Sequence, residues 1–123
     1  MKLLQLTDIH LSAPGQTIAG RDPNANFDKA LTHALTHHPD AEALFITGDL
    51  SDWGDRDDYL RLKRRLQDVA MPVHLCIGNH DDRDAMLSVF PELADADGHV
   101  QRVVPLSRGQ GIVIDTWGQG THA

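Results

Sequence analysis

Side chains that can bind metal ions occur in three groups along this 123-residue chain, and each group directly follows a short apolar run. The groups lie at residues 7–10, 48–52 and 78–81, and their sequences are Thr-Asp-Ile-His, Gly-Asp-Leu-Ser-Asp and Gly-Asn-His-Asp. Carboxylate, imidazole and amide oxygen ligands together suit a divalent ion such as Mn²⁺, Fe²⁺, Zn²⁺ or Co²⁺. The three groups therefore predict a metal site if the fold brings them together.

Each group taken alone also has an ordinary structural interpretation. Asp-x-His after a strand can be a turn with a helix cap, Gly-Asp in that position is common, and Gly-Asn-His-Asp can be a polar β-turn. Few folds need such residues after three strands of one sheet without a metal, so the joint pattern favours a metal site. The remaining histidines, on predicted helices, strands or turns, are interpreted as structural: His33, His37, His38, His74 and His99.

Three apolar runs, at residues 2–6, 43–47 and 73–77, predict the strands that carry these groups. Between the first two, apolar residues at helical spacing predict a helix that begins near Asn24 or Asn26 and ends near residue 38. A second apolar stripe, from Tyr59 to Val69, predicts another helix before the third strand. Strands that alternate with helices indicate a parallel sheet, and right-handed crossovers then put all three strand tips on one edge.

The rest of the chain completes a single α/β domain over residues 1–123, with a parallel or mixed sheet and flanking helices. A third helix is predicted over residues 83–90, and strands over 100–106 and 112–115 are expected to pair as a hairpin. Two metal ions about 3.5–4 Å apart require a bridging ligand. Asp49 follows the middle strand segment, which makes its carboxylate the natural bridge.

Composition and charge limit the classes of partner. The formal net charge of -7 argues against nucleic acid or an anionic membrane surface as a partner. A phosphate substrate stays compatible with that charge, because bound cations can reverse the local field. Cys76 is the single cysteine, so no intramolecular disulfide forms, and the sequence shows neither a signal-peptide pattern nor a membrane-length apolar segment. We expect a cytoplasmic protein.

At these three groups the sequence resembles the calcineurin-like metallophosphoesterases, whose motifs run Asp-x-His, Gly-Asp and Gly-Asn-His-Asp or Gly-Asn-His-Glu. Within that family it is similar to the bacterial class III cyclic-nucleotide and glycerophosphodiester phosphodiesterases. The features typical of that group are Pro-Val before the third strand, Gly-Asn-His-Asp-Asp after it, and a later strand that ends in Asp-Thr near residue 116. The resemblance covers nearly the whole chain.

The resemblance implies a site for two divalent metal ions, of Mn, Fe, Zn or Co, in the intact family fold. Asp8 and His10 would bind the first ion, Asp49 would bridge both ions, and Asn79 would bind the second through its amide oxygen. A small phosphodiester would be hydrolysed by a metal-bridging hydroxide, which makes the expected protein a hydrolase. His80 would stabilise charge at the phosphate or protonate the leaving oxygen, and Asp81 would orient His80.

The later motifs of the family are absent, and this changes what the chain alone is expected to do. Complete members carry a further histidine and a Gly-His-x-His sequence, whereas here only His122 lies near the last residue. We therefore expect the first half of a four-layer αββα sandwich, a truncated domain with impaired activity and one bound ion. The missing ligands would come from a longer native chain or from another subunit of a homo-oligomer.

Two other functional interpretations are compatible with the sequence. One is a non-catalytic phosphoesterase-like half-domain that binds a metal or a partner, and the missing histidines favour it. The other is a nucleotide-binding α/β domain, which the lack of a Gly-rich phosphate-binding motif disfavours. The sequence leaves the metal pair open, and it leaves the choice between cyclic nucleotides and glycerophosphodiesters open as well.

Overall fold

A computed structural model describes residues 1–118, in which five strands, three α-helices and one 3₁₀ turn follow one another. The strands are β1 Leu3–Leu6, β2 Ala43–Thr47, β3 Val73–Cys76, β4 Arg102–Leu106 and β5 Gly109–Val113. The helices are α1 Pro23–His37, α2 Arg56–Leu66 and α3 Arg83–Val89, and the 3₁₀ turn is Pro91–Leu93. His122 lies outside the described residues. None of the helices within residues 1–118 has the length and hydropathy needed to cross a bilayer.

The first three strands form a parallel sheet in the order β1-β2-β3, so the predicted α/β architecture is confirmed. Leu4 pairs with Leu44, which in turn pairs with Val73. Because the strands are parallel, their carboxyl ends all lie at one edge of the sheet. Residues 7–10, 48–52 and 78–81 therefore leave the sheet on the same side, as the sequence pattern predicts.

The core is continuous between the sheet and the three helices. Leu44 and Ile46 of the central strand are fully buried, and they belong to one apolar cluster with side chains from α1, α2 and α3. The other face of the sheet, where the Phe45 and His74 rings are in contact, lies against the β4–β5 hairpin. Gly111 of that hairpin approaches the Phe45 ring so closely that an added Cβ would lie 3.4 Å from it.

The hairpin pairing is confirmed, but its second strand begins and ends earlier than predicted. Leu106 pairs with Gly109 across a two-residue turn, and the strand ends at Val113. Ser107 in the turn donates two hydrogen bonds to the Glu42 carboxylate, which fixes the turn to the main sheet. Asp115 lies beyond the end of the strand, and its carboxylate accepts hydrogen bonds from the Arg83 guanidinium.

Helix α1 begins one turn earlier than an Asn26 cap would allow. Its N-cap is Asp22, whose side chain accepts hydrogen bonds from the amides of Asn24 and Ala25, and Pro23 follows in the first helical turn. The prediction of Asn24 or Asn26 as the cap is therefore wrong. Asn24 instead binds both backbone groups of Ser12 through its side-chain amide, which fixes the long loop after β1 to the helix.

Candidate metal centre

The loops that follow β1 and β2 run side by side beyond the sheet edge. The amides of Asp8, His10 and Leu11 donate to the carbonyls of residues 48, 49 and 50, at 3.2, 2.9 and 2.9 Å. These hydrogen bonds continue the β1–β2 pairing past the ends of the strands. Backbone hydrogen bonds between the two loops therefore hold residues 8 and 10 beside Asp49.

Three of the candidate ligands have a left-handed backbone. The φ angles of Asp8, His10 and Asp49 are 55°, 47° and 50°, and only one other non-glycine residue in the described part of the chain has a positive φ. Such conformations cost free energy for residues with a Cβ, and they concentrate at functional sites. Two of these three residues, His10 and Asp49, belong to the cluster of candidate ligands described below.

Gly78 allows the third loop to approach the other two. A Cβ built on Gly78 would lie 2.3 Å from both the amide nitrogen and the Oδ1 atom of Asp49. Any side chain at this position would therefore collide with the Asp49 backbone as well as with its carboxylate. The Gly-Asn-His-Asp turn needs glycine first, because the turn passes directly over Asp49.

Three side chains meet where these loops converge. The ligand atoms of His10, Asp49 and His80 all lie within 4.8 Å of one another, and this is a spacing at which one divalent ion could bind all three. Asp8 lies at the margin, with its Oδ1 atom 4.0 Å from His10 Nε2. The imidazole and carboxylate donors suit a borderline transition metal. The residues present thus fit a metal ion chemically.

The Asp49 carboxylate is positioned for two tasks at once. Its Oδ1 atom accepts a 2.9 Å hydrogen bond from the backbone amide of His80, which ties the second loop to the third. Its Oδ2 atom lies 3.7 Å from His10 Nε2. Only 13% of the Asp49 side chain is exposed, and Oδ2, the oxygen beside His10, would be the one available to an ion.

Asp52 contacts both histidines, a role that the sequence analysis did not assign. Its Oδ1 atom lies 3.1 Å from Nδ1 of His10 and 3.5 Å from Nδ1 of His80, and its carbonyl lies 2.9 Å from the same His80 nitrogen. A carboxylate on one ring nitrogen fixes the tautomer and leaves the other nitrogen free to bind a metal. The Asp-x-x-Asp spacing from Asp49 to Asp52 was the available signal, because it puts both carboxylates on one loop.

The Asp52 contact also affects the protonation of His80. The hydrogen bond from the His80 ring to the Asp52 carbonyl raises the pKa of His80, and the charges of the nearby Asp49, Asp52 and Asp81 carboxylates act in the same direction. Partial burial opposes this effect only in part. The ring is 45% exposed, so a protonated His80 can present its free nitrogen to a bound molecule.

Asn79 lines a cavity of about 330 Å³ at the sheet edge, together with Asp8, Asp49 and Trp117. The indole of Trp117 donates a 3.4 Å hydrogen bond to the Asn79 carbonyl. The Asn79 side chain thus shares a cavity with two of the other predicted ligands, Asp8 and Asp49, while its function as a ligand stays a prediction.

Asp81 is placed differently from what the resemblance implies. Its buried carboxylate accepts hydrogen bonds from the amides of Leu50, Ser51 and Gly78 and from the hydroxyl of Tyr59, at 3.2, 3.0, 2.8 and 2.8 Å. All four donors lie on the sheet-edge loops or on α2, and the His80 ring contacts Asp52 instead. Burial raises the pKa of Asp81, and this effect outweighs the hydrogen bonds, which lower the pKa.

The match to known proteins covers almost the same residues that the structure describes. A sequence model of the calcineurin-like phosphoesterase family matches residues 1–118 of the chain. A probable cyclic nucleotide phosphodiesterase of Rhodopseudomonas palustris is 37% identical over 94% of this chain and 43% of its own length. A 3′,5′-cyclic adenosine monophosphate phosphodiesterase of Pseudomonas aeruginosa is 27% identical over 93% of this chain and 41% of its own.

A third relative is covered to a similar extent. A probable cyclic nucleotide phosphodiesterase of Rhodococcus erythropolis is 31% identical over 98% of this chain and 41% of its own length. The chain therefore spans less than half the length of each of these three relatives. The matched part includes all three loops of the candidate metal centre.

Proposed function

The chain belongs to the calcineurin-like phosphoesterase family, and we propose that it forms the metal-binding part of a phosphodiesterase that hydrolyses cyclic nucleotides. The observation that carries the proposal is that two ligand candidates, His10 and Asp49, and a candidate proton donor, His80, converge within 4.8 Å at the edge of a parallel sheet. The names of the three relatives, all cyclic nucleotide phosphodiesterases, support the choice of substrate.

The residues of the site divide into those that hold metal and those that act on the substrate. Asp8, His10 and Asp49 would hold one divalent ion, and Asp49 and Asn79 are the residues available for a second. When bound, such ions make water more acidic and neutralise the charge on phosphoryl oxygens. His10 can serve as a ligand through Nε2 because Asp52 occupies its Nδ1 atom.

His80 is proposed to act as the general acid that protonates the leaving group. Hydrolysis adds water to phosphorus and breaks the bond between phosphorus and one ester oxygen, which must leave with a proton. The His80 ring, held by the Asp52 carbonyl, can donate that proton from its exposed nitrogen. Proton transfer from a positioned side chain typically contributes about 10²–10⁴-fold to the rate.

A rival proposal is a non-catalytic half-domain that binds a metal or a partner. It is favoured by the small number of ligands that the candidate metal centre offers. Within residues 1–118, only three His, Cys, Asp or Glu side chains form a cluster suited to a metal. This chain then offers the first ion more ligands than the second, so its own turnover is expected to be low.

The two proposals are separated by measuring metal content and hydrolysis on the same sample. The purified chain is loaded with Mn²⁺, passed through gel filtration, and assayed with bis(4-nitrophenyl) phosphate and 3′,5′-cyclic AMP. Slow hydrolysis that requires Mn²⁺ supports the phosphodiesterase. Bound Mn²⁺ without hydrolysis supports the half-domain, and the absence of both contradicts the two proposals.

Asp49→Asn tests whether any activity arises at this site, because it removes the carboxylate charge that faces His10. The matched control is Asp97→Asn, which makes the same chemical change on the exposed turn over residues 95–98. We expect Asp49→Asn to lose bound metal and hydrolysis, and Asp97→Asn to keep both. Equal activity in the two variants would place the chemistry elsewhere.

A further inference from the structure

We propose that Trp53 is the stacking platform for the base of a nucleotide substrate, in a cavity directly beside the candidate metal centre. The proposal rests on the proposed function, because it takes the phosphate to lie at His10, Asp49 and His80. It adds a subsite for the organic part of the substrate. The subsite distinguishes a nucleotide from a glycerophosphodiester, a choice that the metal-binding residues leave open.

Trp53 is unusually exposed for its size, with 75% of its surface accessible. Single exposed apolar residues are common on proteins, so exposure alone does not make a binding site. Trp53, however, also lines a cavity of about 420 Å³, whose other walls are formed by Ser12, Gln16, Thr17, Ile18 and Asp52. A volume of this size lies within the range of small-molecule sites, about 300–1,000 Å³.

The loop that carries Trp53 is fixed on both sides. The amide of Asp52 donates to the carbonyl of Leu11 at 3.0 Å, and the amide of Gly54 donates to the hydroxyl of Ser51 at 2.9 Å. Gly54 also packs so tightly on Asp82 that an added Cβ would lie 2.8 Å from the Asp82 side chain. The indole is therefore presented from a rigid loop, and binding to it would cost little ordering of the backbone.

Asp52 connects this cavity to the catalytic residues. It lines the cavity, and its carboxylate lies 3.1 Å from the His10 ring and 3.5 Å from the His80 ring. A molecule whose phosphate lies at these histidines can therefore extend past Asp52 to the indole of Trp53. The remainder of the substrate would then occupy the space between Trp53 and the loop that contains Ile18.

The chemistry of the cavity favours a heteroaromatic base over a polyol. The indole offers a π face and Ile18 an aliphatic wall, and aromatic stacking with a nucleic acid base is tolerant of the base identity. Gln16 and Thr17 add hydrogen-bonding groups, and within residues 1–118 their side chains make no hydrogen bond to another residue. A glycerol group would satisfy the polar groups but would leave the indole face without a partner.

Three probes separate the base from the phosphate. Adenosine 5′-monophosphate carries both, ribose 5-phosphate lacks the base, and adenosine lacks the phosphate. Affinities for the two phosphates are measured by calorimetry on the Mn²⁺-loaded chain. We expect adenosine 5′-monophosphate to bind about tenfold or more tightly than ribose 5-phosphate, since one stacked base contributes on that scale. Equal affinities would overturn the proposal.

Variants show which residue is responsible for the difference in affinity between adenosine 5′-monophosphate and ribose 5-phosphate. Trp53→Ala should reduce the affinity ratio to about one and leave the affinity for ribose 5-phosphate unchanged, whereas Trp53→Phe should keep most of the ratio because it keeps a π face. Ile112→Ala is the matched control, because Ile112 is 70% exposed on the hairpin. Arg21→Ala tests the neighbouring cavity beside Asp8, which Arg21 lines. A ratio that survives Trp53→Ala, or is lost in Arg21→Ala instead, would contradict the proposal.

Failure of the subsite and failure of the proposed function give different results. If the metal-loaded chain binds neither phosphate, the proposed function is wrong. Adenosine, titrated without metal while the indole N–H signals are followed by NMR, still tests the subsite in that case. The N–H signal of Trp53 is identified as the one that is absent from the spectrum of Trp53→Phe. A shift of that signal on addition of adenosine supports stacking on Trp53, and the lack of a shift overturns the proposed subsite.

Discussion

Replacement of Asp81 by asparagine tests how the three loops of the metal centre are held together. The carboxylate accepts four hydrogen bonds, three from backbone amides and one from the Tyr59 hydroxyl, and Asp81 is only 3% exposed. An asparagine amide has one acceptor oxygen in place of two. Two of the four donors would therefore lose their acceptor and face an NH₂ group instead.

The expected cost follows from this count. A buried donor left without an acceptor costs about 1–3 kcal/mol, so two such donors would cost roughly 2–6 kcal/mol. The variant also avoids burial of a charge, an effect that raises the pKa of Asp81 in the parent and brings the estimate to the lower part of that range. We expect the free energy of unfolding to fall by about 2–4 kcal/mol, a large share of the 5–15 kcal/mol typical of a domain.

The measurement is urea unfolding in the presence of a chelator, so that metal binding does not contribute to stability. Asp82→Asn is the matched control, because the side chain of the neighbouring Asp82 accepts one hydrogen bond, from the amide of Ala85 at the start of α3, and asparagine caps a helix equally well. Tyr59→Phe should give an intermediate loss of about 1–2 kcal/mol, because it removes the hydroxyl that donates to Asp81 and accepts from the amide of Asp82. If Asp81→Asn unfolds at the same urea concentration as Asp82→Asn, Asp81 does not hold the loops.

Three further outcomes are expected. The 123-residue chain should retain close to one Mn²⁺ or Zn²⁺ after gel filtration, and Asp49→Ala should retain none, as measured by elemental analysis. Two tightly held ions would show that further ligands complete the second position. In a longer version of the protein, His80→Ala should reduce turnover of bis(4-nitrophenyl) phosphate by about 10²–10⁴-fold with the metal content unchanged, whereas parallel loss of metal would make His80 a ligand. Asp115→Asn should destabilise the fold by about 3 kcal/mol at pH 7, because it leaves the Arg83 guanidinium without its two-point partner. Burial alone would raise the pKa of Asp115, but the ion pair and backbone hydrogen bonds lower it, so this stabilisation is present above the ordinary aspartate pKa of about 3.9 and is lost as the pH falls below it; a difference between parent and variant that stays constant to pH 2 would exclude the ion pair as the cause.

The arrangement of the strands could be predicted from the sequence because it depends on local patterns. Apolar runs of four or five residues alternate with helical stripes, and only a parallel sheet accommodates that order. Once the sheet is parallel, the positions of residues 8, 49 and 79 at one edge follow from connectivity alone. The limits of the hairpin could not be predicted in the same way, because β5 ends at Val113, inside the apolar run, and Asp115 beyond it binds Arg83, a residue 32 positions away.

The roles of Asp81 and Asp52 could not be predicted from the sequence, because they depend on contacts between residues that are far apart in the chain. Asp81 follows His80 in sequence, which suggests a direct effect on its ring, but its side chain is directed into the core towards Tyr59 of α2. The contact with the ring comes instead from Asp52, which lies 28 positions away on another loop. Adjacent residues on a turn point to different sides, so sequence proximity to a catalytic residue is weak evidence for contact with it.

The left-handed backbone at Asp8, His10 and Asp49 gives a physical reason why the site and a cation belong together. Each of these conformations costs free energy, and the fold holds all three through backbone hydrogen bonds between the first two loops. The arrangement also directs carboxylates from two strands towards the same histidine, with Asp8 at 4.0 Å and Asp49 at 3.7 Å from its Nε2 atom. Like charges brought together in this way repel each other unless a cation lies between them. A divalent ion would remove the repulsion, and its binding free energy would offset the cost of the strained backbone, so metal binding should stabilise the fold as well as support catalysis.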